Sequence, residues 1–199
     1  MDADPDVELM LAVKRGDQRA FAQLFDRYSR SVVQFAYRFV GDRARAEELA
    51  QDVFMKLYRS AGSYEANARF KTFLFRITAN HCMNERRRGE YKAPHQSKDA
   101  PPPGSDAPSG PELESTDNSG PEQALLGRRL EAALAQALDG LSPRERAAFS
   151  MARFEGMPYK EIALALDASE PAIKSLIHRA TLAVAKALQG HTEGGSHVP

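Results

Sequence analysis

Residues 159–188 read YKEIALALDASEPAIKSLIHRATLAVAKAL, and this stretch predicts two helices joined by a tight turn. The first helix covers about 159–166, and the turn is Asp167-Ala168-Ser169. Ser169 is a good capping residue for a longer helix over 170–188. A short helix, a brief turn and a longer helix form a helix-turn-helix pattern. The apolar residues expected to form its core are Ile162, Ala163, Leu166, Ile173, Ile177 and Leu182.

Two more helices are predicted upstream of this pair. Ser142-Pro143-Arg144-Glu145 is a capping box with proline at the first helical position, which is a strong start signal. The helix that it opens is expected to run to Glu155 and to stop at Gly156. Another helix is expected over 122–138. The C-terminal part of the chain is therefore predicted to be a small helical domain.

The N-terminal part also has helical periodicity throughout. Apolar residues recur every three or four positions in three successive stretches, and Gly41-Asp42 separates the first from the second. No sustained alternation of apolar and polar residues indicates a strand. The fold class is predicted to be all-α. The three stripes consist of Phe21, Leu24, Phe25, Tyr28, Val32, Phe35, Ala36 and Phe39; of Ala46, Leu49, Ala50, Val53, Phe54 and Leu57; and of Phe70, Phe73, Leu74, Ile77 and His81.

A segment rich in proline and acidic residues divides the two helical parts. Residues 93–122 hold seven of the twelve prolines, with six Asp/Glu against one Lys. Such a segment buries too little apolar surface to offset its ordering entropy, so a flexible, disordered linker is expected. The predicted domains are residues 1–92 and 123–189, and residues 190–199 are expected to be a disordered tail.

Several classes of protein are disfavoured by the sequence. There is no apolar run of transmembrane length, and the acidic N-terminus does not resemble a secretory signal. The single Cys82 cannot form an internal disulfide, which suits a reducing cytoplasm. We find no catalytic set, no metal-ligand spacing and no glycine-rich phosphate loop. The chain is predicted to be cytoplasmic, not an enzyme, and without a cofactor, metal or small-molecule substrate.

The overall charge of zero hides two clusters of basic residues. Residues 69–92 carry seven Lys/Arg against two Asp/Glu, with phenylalanines interleaved. Cations can hold a displaced DNA strand, and aromatic side chains can stack on unpaired bases. The predicted last helix places Lys174, Ser175, His178 and Arg179 on one face, suited to phosphate oxygens and base edges in a major groove. An ordinary solvated helix surface is the alternative for either cluster.

With these residues identified, the chain resembles the extracytoplasmic-function (ECF) sigma factors of bacterial RNA polymerase, in the sigma-70 family. The likeness covers nearly the whole chain, in four segments that occur in the family's order. The segments are residues 16–21 (GDQRAF), residues 47–58 (EELAQDVFMKLY), residues 70–80 (FKTFLFRITAN), and residues 141–146 (LSPRER) together with 155–163 (EGMPYKEIA) and 173–175 (IKS).

The resemblance implies that the first domain is a sigma-2-like helical bundle that binds core RNA polymerase and opens the −10 promoter element. The second domain would be a sigma-4-like helix-turn-helix that reads the −35 element. Polymerase contacts are expected at the clamp helices of the largest subunit and at the flap. An exposed methionine among carboxylates also fits a partner surface. The residues expected to bind the clamp helices are Glu48, Gln51, Asp52 and Met55.

Promoter contacts are likewise carried over by resemblance. The loop 62–68, with Tyr64, is expected to hold a flipped base, and Phe75 lies off the apolar stripe. The residues expected at the −10 element are Tyr64, Arg69, Lys71, Phe75, Arg76, Asn80, Arg86, Arg87 and Arg88. Those expected at the −35 element are Ser169, Ala172, Lys174, Ser175, His178 and Arg179. About six phosphate contacts would give a log–log salt slope near about −5.

The chain departs from the family pattern at four positions. Phe73 stands where relatives usually have tryptophan, and Pro158 replaces the usual serine cap. Ala172 and Leu176 stand in the recognition helix, where relatives commonly read Gly-Thr-Val-Lys-Ser-Arg. Leu176 removes a cationic contact to DNA. The promoter sequence therefore cannot be carried over from relatives.

The resemblance further implies an anti-sigma partner that wedges between the two domains, which a long flexible linker would permit. Two other functions are open at this stage. One is a helix-turn-helix transcriptional regulator that acts without polymerase. The other is an adaptor or sigma mimic that occupies polymerase without opening DNA. The basic, aromatic segment 69–88 argues against the mimic, and the carboxylate-rich stripe around Asp52 argues against the simple regulator.

Overall fold

The computed structural model describes residues 4–92 and 121–193. Within these residues the chain is all-α, as predicted, with no strand and two helical units of four helices each. The predicted linker, except its last two residues, and the end of the predicted tail lie outside the described residues. The helices are α1 (Pro5–Lys14), α2 (Gln18–Val40), α3 (Arg43–Ser60), α4 (Phe70–Lys92), α5 (Pro121–Asp139), α6 (Pro143–Arg153), α7 (Tyr159–Ala165) and α8 (Glu170–Glu193), with a 3-10 turn at Ala61–Ser63.

The helices differ from the sequence prediction in several places. Helix α6 ends at Arg153, two residues before its predicted end at Glu155. Helix α1 was not predicted at all. Helix α5 begins at Pro121, inside the predicted linker. Helix α8 continues to Glu193, beyond its predicted end near 188 and into the predicted tail. Proline at the first helical position costs no hydrogen bond, which explains why Pro121 can open a helix.

Helix α1 packs on the N-terminal unit through a buried carboxylate. Asp6 lies 6% exposed, pairs with Arg27 and accepts a 2.5 Å hydrogen bond from the hydroxyl of Tyr28. Asp4 caps the helix and also accepts a 3.1 Å hydrogen bond from the backbone N–H of Phe70. The start signal was therefore present in the sequence, as an aspartate followed by proline.

Helices α2, α3 and α4 form the core of the N-terminal unit. Gly41 ends α2 in the left-handed conformation at φ 70°, where its N–H bonds to the carbonyl of Tyr37. Glycine adopts this conformation without the Cβ penalty of other residues. Asp42 then caps α3 at the N–H of Arg45, so that α3 starts immediately after the turn. The fully buried side chains of this core include Leu24, Leu49, Val53, Leu57, Phe70 and Leu74.

The C-terminal unit has the predicted helix-turn-helix. The capping box at Ser142 and Glu145 is present in both directions. Asp167 lies in the turn at φ 47°, a conformation that aspartate tolerates better than most residues. Ser169 accepts a 3.3 Å hydrogen bond from the N–H of Ala172, which confirms the predicted cap. Of the predicted core residues, Leu182 is wrong because it lies 58% exposed, and Val184 is buried in its place.

The two units pack against each other in one continuous apolar cluster. Phe35, Phe39 and Phe75 of the N-terminal unit belong to the same cluster as Met151 and Ile162 of the C-terminal unit. The first three residues lie on α2 and α4, and the last two lie on α6 and α7, which are far away in sequence. The packing of α4 against α6 and α7 could not be predicted from periodicity, because a stripe shows that a face is buried but not what covers it.

Arg146 of α6 joins the two units at the end of α2. Its guanidinium is 1% exposed and donates to the carbonyls of Arg38, at 3.0 Å, and of Phe39, at 3.2 Å. It also donates to the carboxylate of Asp139 at 2.9 Å. Carbonyls in the last turn of a helix have no partner within the helix, so a cation at this end satisfies them and interacts favourably with the helix dipole.

Candidate functional site

The residues predicted to bind polymerase lie together on the exposed face of α3. Glu48, Gln51 and Asp52 are exposed, and Met55 is 51% exposed. The opposite face of the same helix, from Ala46 to Leu57, is buried. We call the four exposed residues the α3 stripe. Spacings of three and four residues place them in a single row, with the thioether beside the carboxylates.

An apolar patch extends the α3 stripe onto α2. Tyr58 is 45% exposed and packs edge-on against Phe21, with ring centroids 5.1 Å apart. Phe25 is 40% exposed and packs against Phe54 at 4.8 Å. The prediction that Phe25 belongs to the apolar stripe of the core was therefore only partly right. The sequence signal that was missed is the spacing of Met55 and Tyr58, which are neighbours on one helix face.

His81 connects the α3 stripe to α4. Its Nε2 lies 3.2 Å from the carboxylate of Asp52, and its Nδ1 lies 2.6 Å from the ammonium nitrogen of Lys56. The side chain is 11% exposed, so the prediction of a packed residue was close. These contacts hold the Asp52 side chain against the helix on which the basic cluster lies.

The cations of α4 lie in two groups. Arg69 and Lys71, at its N-terminal end, pair with carboxylates of the C-terminal unit, at 3.3 Å from Glu161 and 3.4 Å from Glu155 respectively. Arg86, near its other end, lies 3.5 Å from the carboxylate of Asp139 and donates to its carbonyl at 3.1 Å. Between the two groups Arg76 and Asn80 are exposed, and Arg87 and Arg88 are exposed beyond Arg86.

Two aromatic residues predicted to contact bases are buried instead. Phe75 has no exposed surface and packs against Phe35, with centroids 5.5 Å apart. Tyr64 is 2% exposed and packs against Phe73 at 5.0 Å. Helix α4 is covered on two sides, by α2 and α3 and by α6 and α7, and so a residue off the first stripe is also buried. The partly exposed aromatic residue on this face is Phe73, over which the guanidinium of Arg76 lies at 5.5 Å.

A cavity of about 320 Å³ lies at the loop that was predicted to hold a flipped base. Polar side chains of the loop and of the start of α4 line it together with Phe73 and Arg76. Tyr64 does not line this cavity, contrary to the prediction. The arrangement offers a flat apolar ring, a guanidinium and several hydrogen-bonding groups, which is the chemistry that an unstacked base requires. Its wall includes Ser63, Asn67, Thr72, Phe73, Arg76 and Leu164.

The predicted recognition surface on α8 is exposed. Ala172, Lys174, Ser175 and His178 are all exposed to solvent. Arg179 is also exposed, but its Nε donates to Glu145 at 2.7 Å. Ser169 uses its hydroxyl oxygen to cap the helix. Arg144 donates to the carbonyl of Leu166 at 2.7 Å, which fixes the end of α7 against α6.

Burial disfavours the charged form of three ionisable groups at the interface between the units. Burial raises the pKa of the Glu155 carboxyl, although Lys71 and Arg38 oppose the shift. Burial likewise lowers the pKa of the guanidinium of Arg38 and of Arg146. Arg38 lies 4.0 Å from the Glu155 carboxylate and stacks over the ring of Phe154 at 3.8 Å. Loss of water therefore dominates over pairing at all three groups.

Within residues 4–92 and 121–193, no helix has the length and apolar character to cross a membrane. Among these same residues, no three His, Cys, Asp or Glu side chains come together in a way that would bind a metal ion.

Comparison with known families matches both units of the chain. Residues 24–90 match the family model of sigma-70 region 2, and residues 131–183 match that of sigma-70 region 4. The RNA polymerase sigma-H factor of Pseudomonas aeruginosa is 32% identical over 192 residues, covering 94% of this chain and 95% of the relative. The ECF RNA polymerase sigma-E factor of Escherichia coli is 30% identical over 186 residues, covering 92% and 94%.

Solved structures with the same fold include two sigma factors in complexes. CnrH, in complex with the cytosolic domain of CnrY, is 22% identical with a TM-score of 0.67, covering 94% of this chain and 99% of that one. RpoE of Bartonella quintana, in complex with the anti-sigma factor NepR, is 24% identical with a TM-score of 0.62, covering 85% and 96%.

Proposed function

Since the chain belongs to the ECF sigma factors of the sigma-70 family, we propose a division of labour among its exposed faces in promoter-specific initiation. The protein is an RNA polymerase sigma factor, and its partners are core polymerase and promoter DNA. The observation that carries this conclusion is the match of one relative to almost the whole chain, with both sigma regions present in order. Neither a regulator that acts without polymerase nor a sigma mimic finds support in these matches.

The α3 stripe is the proposed docking surface for the clamp helices of the largest polymerase subunit. Its carboxylates supply charge complementarity, and Met55 with the neighbouring Tyr58 supplies an apolar contact. Truncating a carboxylate that pairs with a cation across a buried interface costs about 2–5 kcal/mol, and desolvated apolar anchors supply further affinity. The C-terminal unit is proposed to contact the flap.

The N-terminal half of α4 is the proposed −10 surface, and the exposed face of α8 is the proposed −35 surface. In this scheme Arg69, Lys71 and Arg76 hold the displaced strand, and the amide of Asn80 contacts a base edge. Farther along α4, Arg86, Arg87 and Arg88 contact the phosphate backbone of the DNA. The cavity beside Phe73 replaces Tyr64 and Phe75 as the proposed base pocket, because those two rings are buried. Lys174, Ser175, His178 and Arg179 meet the upstream duplex, with Ser169 and Ala172 at the start of the helix.

The division into domains at residues 1–92 and 123–189 is retained as part of the proposal, with the C-terminal unit extended to Glu193. We further propose an anti-sigma partner, supported by the complexes of CnrH and RpoE with their partners. The protein is proposed to act in the cytoplasm, because core polymerase is located there. Its proposed role is that of an initiation factor and not of an enzyme. A pull-down from uninduced cells that returns only polymerase subunits would count against the proposed anti-sigma partner.

Run-off transcription with purified core polymerase and a promoter library tests the division of labour. Asp52→Ala is expected to abolish core binding while the protein stays folded, and Glu131→Ala, an exposed carboxylate on α5, serves as the control. Asn80→Ala is expected to retain core binding and to lose strand opening, measured by permanganate reactivity of unpaired thymines. Asn84→Ala, one turn farther along α4, is its control.

Lys174→Ala with Arg179→Ala is expected to weaken binding of the upstream duplex by the holoenzyme and to reduce the salt slope by about two. Lys186→Ala, exposed farther along α8, controls for the loss of charge. If the Asp52, Asn80 and Lys174/Arg179 variants all behaved like the wild type, the residue assignments would be refuted. If the wild-type protein formed no complex with core polymerase at low ionic strength, the function itself would be refuted.

A further inference from the structure

The start of α4 is capped by a residue that lies far away in the sequence. Arg69 stands at the N-cap position, and an arginine side chain has no acceptor to offer there. Instead, Oδ2 of Asp4, 66 positions away, accepts a 3.1 Å hydrogen bond from the N–H of Phe70. The other oxygen, Oδ1, accepts from the N–H of Asp6 at 3.1 Å and caps α1. One carboxylate therefore caps two helices, and its charge suits the N-terminal end of both.

Lys14, at the opposite end of α1, holds the segment that leads into α4. Its ammonium donates a 2.8 Å hydrogen bond to the backbone carbonyl of Tyr64. The ring of Tyr64 packs against Phe73, so that both the ring and the backbone of this residue are fixed. The loop 65–69 consequently lies between two anchors, Tyr64 and Phe70, and α1 holds both of them.

Helix α1 is a firm base for these anchors. Met10 and Val13 are buried in the core of the N-terminal unit, and the bond from Tyr28 to Asp6 ties the helix to α2. A helix of ten residues is about 15 Å long and stiff. A loop of six residue steps can take any span up to about 20 Å. The helix therefore fixes a separation of the loop ends that the loop alone would leave variable.

The loop held in this way forms part of the wall of the proposed base pocket. Glu65, Asn67 and Ala68 line the cavity together with Phe73 and Arg76. Within the loop, the amide of Asn67 donates to the carboxylate of Glu65 at 2.8 Å. Groups that recognise a ligand have to be held within about 0.5 Å of the productive geometry. The position of the loop backbone thus decides whether these polar groups can meet an unpaired base.

We propose that Asp4 and Lys14 are positioning residues for promoter opening, which hold the loop 65–69 and the first turn of α4 in the geometry that receives an unpaired base. The inference rests on the proposed −10 surface. Both side chains act through the backbone, at the N–H of Phe70 and the carbonyl of Tyr64. The competing explanation is that α1 only covers the apolar core, in which case the two contacts contribute to stability alone.

Hydrogen–deuterium exchange of the free protein measures the anchoring without polymerase. Lys14→Met removes the donor and keeps a long, helix-forming side chain. Asp4→Asn keeps one side-chain oxygen for the cap on α1 and loses the acceptor for Phe70. The amides of residues 65–73 are expected to exchange about threefold faster in each variant and about tenfold faster in the double variant. Unchanged exchange in the double variant would overturn the proposal.

Strand opening by the holoenzyme measures the consequence for function. The assay is permanganate reactivity of unpaired thymines on a promoter selected from the run-off library, at a temperature at which circular dichroism shows each variant fully folded. The double variant is expected to open about tenfold less promoter and to bind core polymerase within about twofold of the wild type. A loss of stability alone leaves opening unchanged under these conditions, because the folded fraction stays close to one. Opening equal to that of the wild type, or an equal loss of core binding, would overturn the positioning role.

Matched variants separate the two anchors from their charge and from local capping. Lys14→Arg is expected to restore most of the opening, since a guanidinium also donates to a carbonyl. Arg15→Met removes the neighbouring exposed cation, and Asp17→Asn changes an aspartate that caps its own helix α2. Both are expected to match the wild type in exchange and in opening, and a loss equal to that of the double variant would overturn the proposal. Failure of the wild type to bind core polymerase would instead refute the proposed function, and the exchange measurement does not depend on that result.

Discussion

Replacing Arg146 with methionine removes the guanidinium that joins α6 to the end of α2. The side chain is 1% exposed, so methionine fills a similar volume without a charge. Two backbone carbonyls, those of Arg38 and Phe39, lose their donor. Both lie in the last turn of α2, where no intrahelical N–H can replace it.

The expected loss of stability follows from these contacts. An unsatisfied buried carbonyl costs about 1–3 kcal/mol, and two of them would cost about 4 kcal/mol. The contact with Asp139 adds little, because that carboxylate is 75% exposed and is screened by water. Relief of the desolvated guanidinium returns about 1 kcal/mol, since burial already disfavours its charged form. The free energy of unfolding is therefore expected to fall by about 3 kcal/mol.

Urea unfolding followed by circular dichroism at constant pH measures this loss. With an m-value of about 2 kcal/mol per molar, the midpoint is expected to fall by about 1.5 M. Arg153→Met, an exposed arginine on the same helix, is expected to stay within about 0.5 kcal/mol of the wild type. Arg146→Lys should lie between the two, because an ammonium keeps the charge but not the forked donor geometry. A methionine variant as stable as the wild type would refute the role of Arg146 as the link between the units.

Three further predictions concern the N-terminal unit. Burial raises the pKa of the Cys82 thiol to about 12, so at pH 8 it is expected to react with a disulfide reagent about a thousandfold more slowly than a thiol at its ordinary pKa, and unfolding in guanidinium should restore the rate. Asp6→Asn is expected to lower the free energy of unfolding by about 2 kcal/mol, because the contacts to Arg27 and Tyr28 lose a charged acceptor, and an unchanged urea midpoint would contradict this. Gly41→Ala is expected to cost about 1 kcal/mol at φ 70°, measured the same way, whereas Gly62→Ala, which meets no atom within 4 Å and has no positive φ, should cost less.

Local sequence signals predicted most of the fold because each depends on neighbours in the chain. The capping box at Ser142, the cap at Ser169 and the glycine stop at Gly41 are all settled by groups within four residues. The exposed residues of α3 followed from periodicity in the same way, because a helix with one buried stripe exposes the opposite face. Polarity on that face then identified a candidate surface.

The errors arose where long-range packing decided the outcome. Phe75 lies off the first stripe of α4, but a second set of helices covers that side, and so it is buried. Leu182 lies five residues after Ile177, which turns it away from the core, whereas Val184 lies seven residues after Ile177 on the same face and is buried. Pairing of Arg69 and Lys71 with Glu161 and Glu155 joins residues more than eighty positions apart. No local pattern carries that information.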